Sequence, residues 1–254
     1  MVTSRVTGEY KMELKKKDKT IAIILAGGVG SRMGASIPKQ YLELAGKPIL
    51  AYSLIAFEKS QVDEIIVVCD AVYEKMIRRE IVEKYGIKKF SGFANSGIER
   101  VWSVKKGIAA ATDGENRSLE KKSIYLLIHD GARPFISQEL IADCMESVKK
   151  YNAVVPGIPL RDTIKKMSGD TVVSTPDRSN YSIVQTPQCF RADIIIKAYD
   201  KFDKADKNTK GFIPTDDASL VEKYTDTRVK MVPGDERNLK VTTPLDMRIS
   251  ELLI

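Results

Sequence analysis

Residues 25–40, Leu-Ala-Gly-Gly-Val-Gly-Ser-Arg-Met-Gly-Ala-Ser-Ile-Pro-Lys-Gln, combine glycines and cations in a pattern that suits phosphate binding. They follow an apolar run, Ile21–Leu25, that reads as a short buried strand. Gly27, Gly28 and Gly30 leave no side chain between backbone and ligand, so successive N–H groups can curl around an anion. Arg32 brings a planar guanidinium fork to the same rim and Lys39 a mobile point charge. Two familiar phosphate loops fail on spacing. The dinucleotide fingerprint counted from Gly28 and Gly30 finds Met33 where its last glycine belongs. The Walker loop fails because Gly46-Lys47 is followed by Pro48, and Tyr41 replaces its first glycine. A nucleotide loop of another type remains.

Other segments could complete such a site. Asp130, in His129-Asp130-Gly131-Ala132-Arg133-Pro134, follows the apolar run Ile124–Ile128. Ligands in open α/β sheets bind beyond the carboxyl ends of the strands, so a charged residue there is a site candidate; a turn aspartate is the plainer alternative. His129 is the chain's single histidine and, just inside the strand end, reads as structural rather than as a general base. Ser96-Gly97-Ile98-Glu99-Arg100-Val101-Trp102-Ser103 opens a helix behind a glycine, and Ser103, one turn in, is placed to reach a base or phosphate. Asp216-Asp217 after Thr215 reads as a helix N-cap with acids complementing the dipole. Arg178 and Lys240 are individually uninformative.

Positioning these residues requires a sheet flanked by helices, and strand-like and helix-like segments do alternate. After the glycine loop the sequence predicts a helix over Pro48–Lys59 with proline in its first turn. A strand follows at Glu64–Cys69, then a helix over Ala71–Tyr85 closed by Gly86. A short strand near Lys88–Phe90, a helix over Ile98–Ala111 and a strand over Ser123–His129 come next. Gln138–Tyr151 reads as helix and Ala153–Pro156 as strand. From Gly157 to Gln188 the rhythm breaks, and Ile158–Thr175 reads as a β-hairpin inserted into the α/β pattern. A hairpin cannot bury itself alone, so it is expected to pack on another subunit. Arg191–Phe202 and Asp216–Tyr224 read as helices, Arg228–Val232 as strand, and a last helix starts at Pro244.

Composition sets outer bounds. The 254 residues suffice for one substantial domain, expected over 20–254 with the arm at about 157–184. Residues 1–19 read as a basic, disordered extension, which supplies +3 of the net charge of +7. No arginine–aromatic pattern accompanies that charge, so a small anionic substrate is expected rather than nucleic acid. No apolar run reaches membrane-spanning length and no apolar signal core stands at the N-terminus, which predicts a cytoplasmic protein without membrane contact. Cys69, Cys144 and Cys189 are widely separated and show no metal-ligand spacing.

Several blocks together resemble the 2-C-methyl-D-erythritol 4-phosphate cytidylyltransferases of the non-mevalonate isoprenoid pathway. They are Ala22–Gly34 with Pro38-Lys39-Gln40, His129–Pro134, Asp162-Thr163-Ile164-Lys165, Gln185-Thr186-Pro187-Gln188, Thr215-Asp216-Asp217-Ala218 and Lys240-Val241-Thr242, in family order over residues 20–252. The resemblance implies an α/β, Rossmann-like three-layer nucleotidyltransferase fold with a mostly parallel mixed sheet and an inserted β-arm used in dimerisation. By it, Leu25, Ala26, Gly27, Gly28, Gly30, Gly97 and Ser103 fall at CTP-binding positions. Arg32 and Lys39 fall on the pair that stabilises the transition state. Arg178 and Lys240 fall on the pair that positions the polyol phosphate, with Thr163 beside them, and Asp130, Gly131 and Arg133 line the same site. It also implies a homodimer in which the arm reaches the partner's site. Mg²⁺ is implied as cofactor, held mainly by the CTP phosphates, with Asp130 the protein's candidate ligand.

Two departures stand out. Ile98 occupies a position where the family often has an acid, and Gly131 one where alanine is usual. Leu-Ala-Gly-Gly also suits the ribitol-5-phosphate cytidylyltransferases of teichoic acid synthesis, so that substrate stays open as an alternative. A sugar-1-phosphate nucleotidyltransferase and a non-catalytic nucleotide-sensing module are more distant ones. The implied reaction is attack of a substrate phosphate on the α-phosphorus of CTP. A phosphate monoester with a second pKa near ~6 is already largely dianionic at neutral pH and needs no general base. The enzyme must instead align two mutually repelling anions and neutralise charge as it builds up.

Overall fold

The apolar runs that lack polar alternation prove to be strands covered on both faces. The computed structural model describes residues 18–28, 37–113, 120–206, 212 and 214–254. Its elements run β1 (Lys19–Leu25), β2 (Glu43–Leu44), β3 (Lys47–Pro48), α1 (Ile49–Lys59), β4 (Glu64–Cys69), α2 (Glu74–Ile77), β5 (Phe90–Asn95), α3 (Arg100–Thr112), β6 (Ile124–Asp130) and α4 (Gln138–Tyr151). They continue with β7 (Ala153–Pro159), β8 (Lys166–Ser168), β9 (Thr171–Ser174), β10 (Ser182–Val184), β11 (Gln188–Arg191), α5 (Ala192–Asp206), α6 (Asp217–Tyr224), β12 (Lys230–Pro233) and α7 (Pro244–Glu251).

Eight strands form one mixed sheet. β6, β1, β4 and β5 are successive parallel neighbours; β11 runs antiparallel between β6 and β7, and β10 and β12 pair along β7. Alternation along each strand sorts its side chains into two cores. Ala22, Ile24, Ile65, Val67 and Leu127 pack with Leu54 and Phe57 of α1 and with Ile141 and Val148 of α4. Ile21, Ile23, Val68, Leu126 and Ile128 pack on the other face with Val104 and Ile108 of α3 and with Ile195 and Phe202 of α5. This is the expected three-layer α/β arrangement, and no helix among the described residues is long and apolar enough to cross a membrane.

Helix ends follow the local chemistry. Ser137 caps α4 by accepting from Leu140 N, and Asn152 ends it with φ +66°. Asp216 caps α6 by accepting from Ser219 N, as the sequence indicates. Pro48 is the cap of α1 and lies just before its first turn.

The sequence-based expectation differs from the structure in three places. β5 runs Phe90–Asn95 rather than Lys88–Phe90, because Gly92 and a register shift opposite Ile65/Ile66 break its alternation. The helix expected over Ala71–Tyr85 is a 3₁₀ turn, the four residues of α2 and a wider π turn over Arg78–Glu83. β10 and β11 carry no apolar run and are separated by a cis Thr186–Pro187 bond, so neither is legible as a strand. The inserted hairpin is present as β8 paired with β9, detached from the main sheet. Residues 1–17 of the basic extension lie outside the described residues.

α3 approaches the sheet most closely at Gly107, where a Cβ would stand 2.6 Å from Ile23 Cγ2 and 2.9 Å from Val68 Cγ2. Two branched side chains in a filled layer cannot retreat, so Gly107→Val is expected to lower stability by about 2 kcal/mol. A urea midpoint equal to the parent's would refute this packing.

Candidate active site

Pairing of Leu25 with both Val68 and Asp130, and of Cys69 with Asn95, brings four strand ends to one edge of the sheet. The loops that follow enclose a cavity of about 270 Å³, lined among others by Leu25, Gly27, Gly28, Lys39, Gly97, Ser103, Asp130 and Lys240. Gly27 is required by close approach, since a Cβ there would sit 2.3 Å from Ser96 Cβ. Gln40 Nε2 donates to the carbonyls of Ala26 (2.6 Å) and Gly28 (3.0 Å), and Tyr41 Oη donates to Ala26 O (2.8 Å). With those carbonyls engaged, the amides of Gly27 and Gly28 keep no acceptor among the described residues. That is the polarity an anion requires. The Ala26 amide is not available in this way, because it donates to Val68 O at 2.7 Å.

A second cavity of about 320 Å³ adjoins the first, lined by Arg133, Thr186, Gln188, Thr215 and Asp216 among others. Arg100, Asp130 and Lys240 line both. Asp130 Oδ2 lies 2.7 Å from Lys240 Nζ and Oδ1 3.4 Å from Arg100 Nε. Burial pushes the Asp130 carboxyl upward, but Arg100 and then Lys240 outweigh it and hold the group well below the usual carboxylate range. Arg100 also reaches Asp217 Oδ2 at 2.8 Å, on a carboxylate only 1% exposed. Asp217 Oδ1 accepts from Tyr199 Oη (2.7 Å), while Gln188 Oε1 accepts the amides of Asp217 and Ala218. Arg100 is thereby fixed on the wall between the cavities.

Lys240 is carried in by the segment after β12. Val241 N donates to Ala132 O, and buried Asn238 donates to Thr186 O while accepting Arg133 Nη1 on its own carbonyl. Arg100 and Lys240 are thus gathered on Asp130, with Glu99 bordering the first cavity and Asp216 the second, and the cationic side chains of the two linings suit the holding of phosphate groups.

A family model described as 2-C-methyl-D-erythritol 4-phosphate cytidylyltransferase matches residues 20–254. A relative so named from Lachnospira eligens is 41% identical over 235 residues, 92% of this chain and 98% of its own length. Another from Geobacillus thermodenitrificans is 39% identical, over 92% and 96%. The chain belongs to the 2-C-methyl-D-erythritol 4-phosphate cytidylyltransferase family. The crystal structure of 4-diphosphocytidyl-2C-methyl-D-erythritol synthase from Anaerococcus prevotii matches it with a TM-score of 0.77 at 30% identity, covering 93% of this chain and 96% of that one. The expectations of an α/β cytidylyltransferase fold and of an enzyme that transfers a cytidylyl group are borne out.

Within this cytidylyltransferase, the site residues expected from sequence fall into four groups. Leu25, Gly27, Gly28, Lys39, Gly97, Ser103, Asp130 and Lys240 line the first cavity, and Arg133 lines the second. Ala26 and Gly131 stand behind the lining, where the Gly131 amide donates to Leu25 O at 2.9 Å. Thr163 and Arg178 are exposed on the arm, outside both cavities; Arg178 bonds the carbonyl of Arg161. Gly30 and Arg32 lie outside the described residues.

The structure also changes some roles. The Ser103 hydroxyl donates to Glu99 O and accepts from Gly97 N, so it closes the loop that carries Ile98 rather than pointing freely at a ligand. Asp217, read from sequence as part of a cap, is the buried partner of Arg100. His129 is fully buried, which lowers its pKa to about 4 and fits the structural reading.

Asp217→Ala removes the closer carboxylate of Arg100 and leaves it only the 3.4 Å contact with Asp130. Arg100 keeps 31% of its side chain exposed and can rehydrate in part, so the expected loss is about 3 kcal/mol, the low end for a broken buried pair. Chemical denaturation measures it, and a loss near zero would refute the buried pair. A second expectation concerns acid. Unfolded histidine takes a proton near ~6.5, whereas folded His129 resists until about pH 4. The unfolded state binds more protons across that window, so the contribution of His129 to stability falls as pH drops from 6.5 towards 4 and is constant above it. With one histidine in the chain, an unchanged urea midpoint between pH 7.5 and 5 would contradict this.

Proposed function

We propose that the enzyme transfers CMP from CTP to 2-C-methyl-D-erythritol 4-phosphate, releasing pyrophosphate, and that it works in the cytoplasm as a homodimer with Mg²⁺. The observation that carries the mechanism is the common wall of Arg100, Asp130 and Lys240 between two cavities. With CTP against the glycine loop and the acceptor phosphate beside Arg133, nucleophile and α-phosphorus meet across that wall. An acceptor phosphate oxygen forms a bond to the α-phosphorus as its bond to the bridging α–β oxygen breaks, and pyrophosphate carries the electron pair away. The acceptor arrives as a dianion, with its second pKa near ~6, so no side chain takes a proton. Catalysis rests on placement and on charge neutralisation by Arg32, Lys39 and Lys240.

The donor set fits Mg²⁺ held by the substrate. Mg²⁺ commonly binds one or two carboxylates plus phosphates and keeps several waters, and no group of three acidic, histidine or cysteine side chains arranged to hold a metal ion occurs among the described residues. Both oxygens of Asp130 already face cations, which argues for triphosphate oxygens as the principal ligands and against Asp130 as a direct one. Bound there, Mg²⁺ would withdraw charge from the phosphate oxygens.

The arm supports the dimer. Met167, Val172, Val173, Tyr181 and Ile183 are exposed along it, and Arg178 and Thr163 line neither of the two cavities of their own chain. Val184, at its base, lines the second cavity. A partner's arm laid across that cavity would bury the apolar side chains and deliver Arg178 to the acceptor phosphate.

Pyrophosphate release with CTP, Mg²⁺ and either 2-C-methyl-D-erythritol 4-phosphate or ribitol 5-phosphate tests the substrate; turnover only with the ribitol compound would overturn it. Lys39→Ala is expected to lower kcat about 10²–10³-fold, as for other preorganised electrostatic contacts, and a near-parental kcat would remove Lys39 from the mechanism. Mixing inactive Lys39→Ala with inactive Arg178→Ala protein should restore part of the activity through hybrid sites. No recovery despite verified subunit exchange would refute the shared site.

A further inference from the structure

The single histidine has a defined set of partners that the transfer reaction does not use. His129 stands at the end of β6 with none of its surface exposed, its ring 5.2 Å from that of Phe57. Its Nε2 lies 3.3 Å from the Arg133 carbonyl oxygen and its Nδ1 3.0 Å from Thr186 Oγ1. A carbonyl oxygen only accepts, so Nε2 carries the hydrogen. In the neutral ring Nδ1 then offers a lone pair, and the Thr186 hydroxyl donates to it. The same Thr186 oxygen accepts the Asp130 amide at 3.1 Å. Each role forces the next: Asp130 N–H to Thr186 Oγ1, Thr186 O–H to His129 Nδ1, His129 Nε2–H to Arg133 O.

The turn 130–133 is thereby tied at both ends. Its backbone closes through Arg133 N–H to Asp130 O at 2.9 Å. The Arg133 carbonyl takes the Ser53 hydroxyl of α1 (3.1 Å) as well as the imidazole. Asp130 and Arg133 leave this turn towards the second cavity. Thr186, from the segment joining β10 to β11, belongs to the same cavity wall.

We propose that His129 is a positioning residue: as the Nε2–H tautomer it locks the Asp130–Arg133 turn to Thr186 and so aims Arg133 at the acceptor phosphate. The kinetic part rests on the reading of the second cavity as the acceptor site; the tautomer does not.

Because the chain has one imidazole, ¹⁵N-histidine labelling of the full-length protein needs no assignment. At pH 7.5 the spectrum should show an unprotonated Nδ1 and a protonated, exchange-protected Nε2. Thr186→Val keeps the side-chain shape and removes the hydroxyl. It should shift the Nδ1 resonance and raise KM for the polyol phosphate about tenfold, as loss of one positioning hydrogen bond would, with KM for CTP changed less than about twofold. Thr186→Ser should restore both readouts. An Nδ1–H tautomer in the parent protein would overturn the proposal. So would an unmoved resonance in Thr186→Val, or equal rises in both KM values. Parent protein inactive with every polyol phosphate would defeat the functional reading instead, while its spectrum would still decide the tautomer.

Discussion

A carboxylate placed among anionic ligands is tolerable only if the protein supplies its counter-charge in advance. Asp130 meets that condition through Lys240 at 2.7 Å and Arg100 at 3.4 Å. Arg100 could not serve if it were free to swing towards a phosphate, and Asp217 prevents this from the other side. Asp217 is in turn held by Tyr199 of α5, while Gln188 of β11 binds the first amides of α6. One charge at the end of β6 thus recruits α3, α5, α6, β11 and the segment after β12. The cost of desolvating these ions is offset because both oxygens of Asp130 and of Asp217 find partners, and Arg100 engages the two carboxylates through Nε and Nη2.

The glycine loop is organised by the opposite logic, with carbonyls engaged and amides left available. Gln40 and Tyr41, in a short turn that begins at Lys39, draw the carbonyls of Ala26 and Gly28 towards themselves. The peptide planes are then oriented before any ligand arrives, so binding an anion costs little further ordering of this segment. Lys39 belongs to the same turn, which couples the charge at the rim to the geometry of the loop.

Much of this was readable from residue order, and the rest for identifiable reasons was not. β1, β4 and β6 are uninterrupted apolar runs, so their burial and their role as central strands follow from composition alone. Gly27, Gly28 and Asp130 stand at the ends of such runs, where the fold class puts ligands. Arg100 and Asp217 are 117 positions apart, and nothing in either local sequence reports the other. Asp217 also follows an authentic N-cap, Asp216, which masks it as a second dipole acid. Gln40 and Thr186 escape for a different reason: each acts through hydrogen bonds to backbone or to a buried ring, a role no residue type advertises. A site role for Arg178 is suggested only by family resemblance, since it lines neither cavity of its own chain.

Sharing one wall between two cavities has a kinetic consequence. Arg100, Asp130 and Lys240 face both spaces, so a change at any of them disturbs nucleotide and acceptor together and cannot be read as a loss of one substrate. Gln40 and Arg133 differ, because each borders a single cavity. Under the proposed reaction, effects confined to one KM should therefore arise at outer-wall residues such as Gln40 and Arg133, and joint effects on both substrates at the common wall. The division follows from topology. The outer walls come from loops after β1 and around β11, whereas the common wall is assembled from the start of α3, the end of β6 and the segment after β12. None of these can move without breaking Asp130's balance of charge.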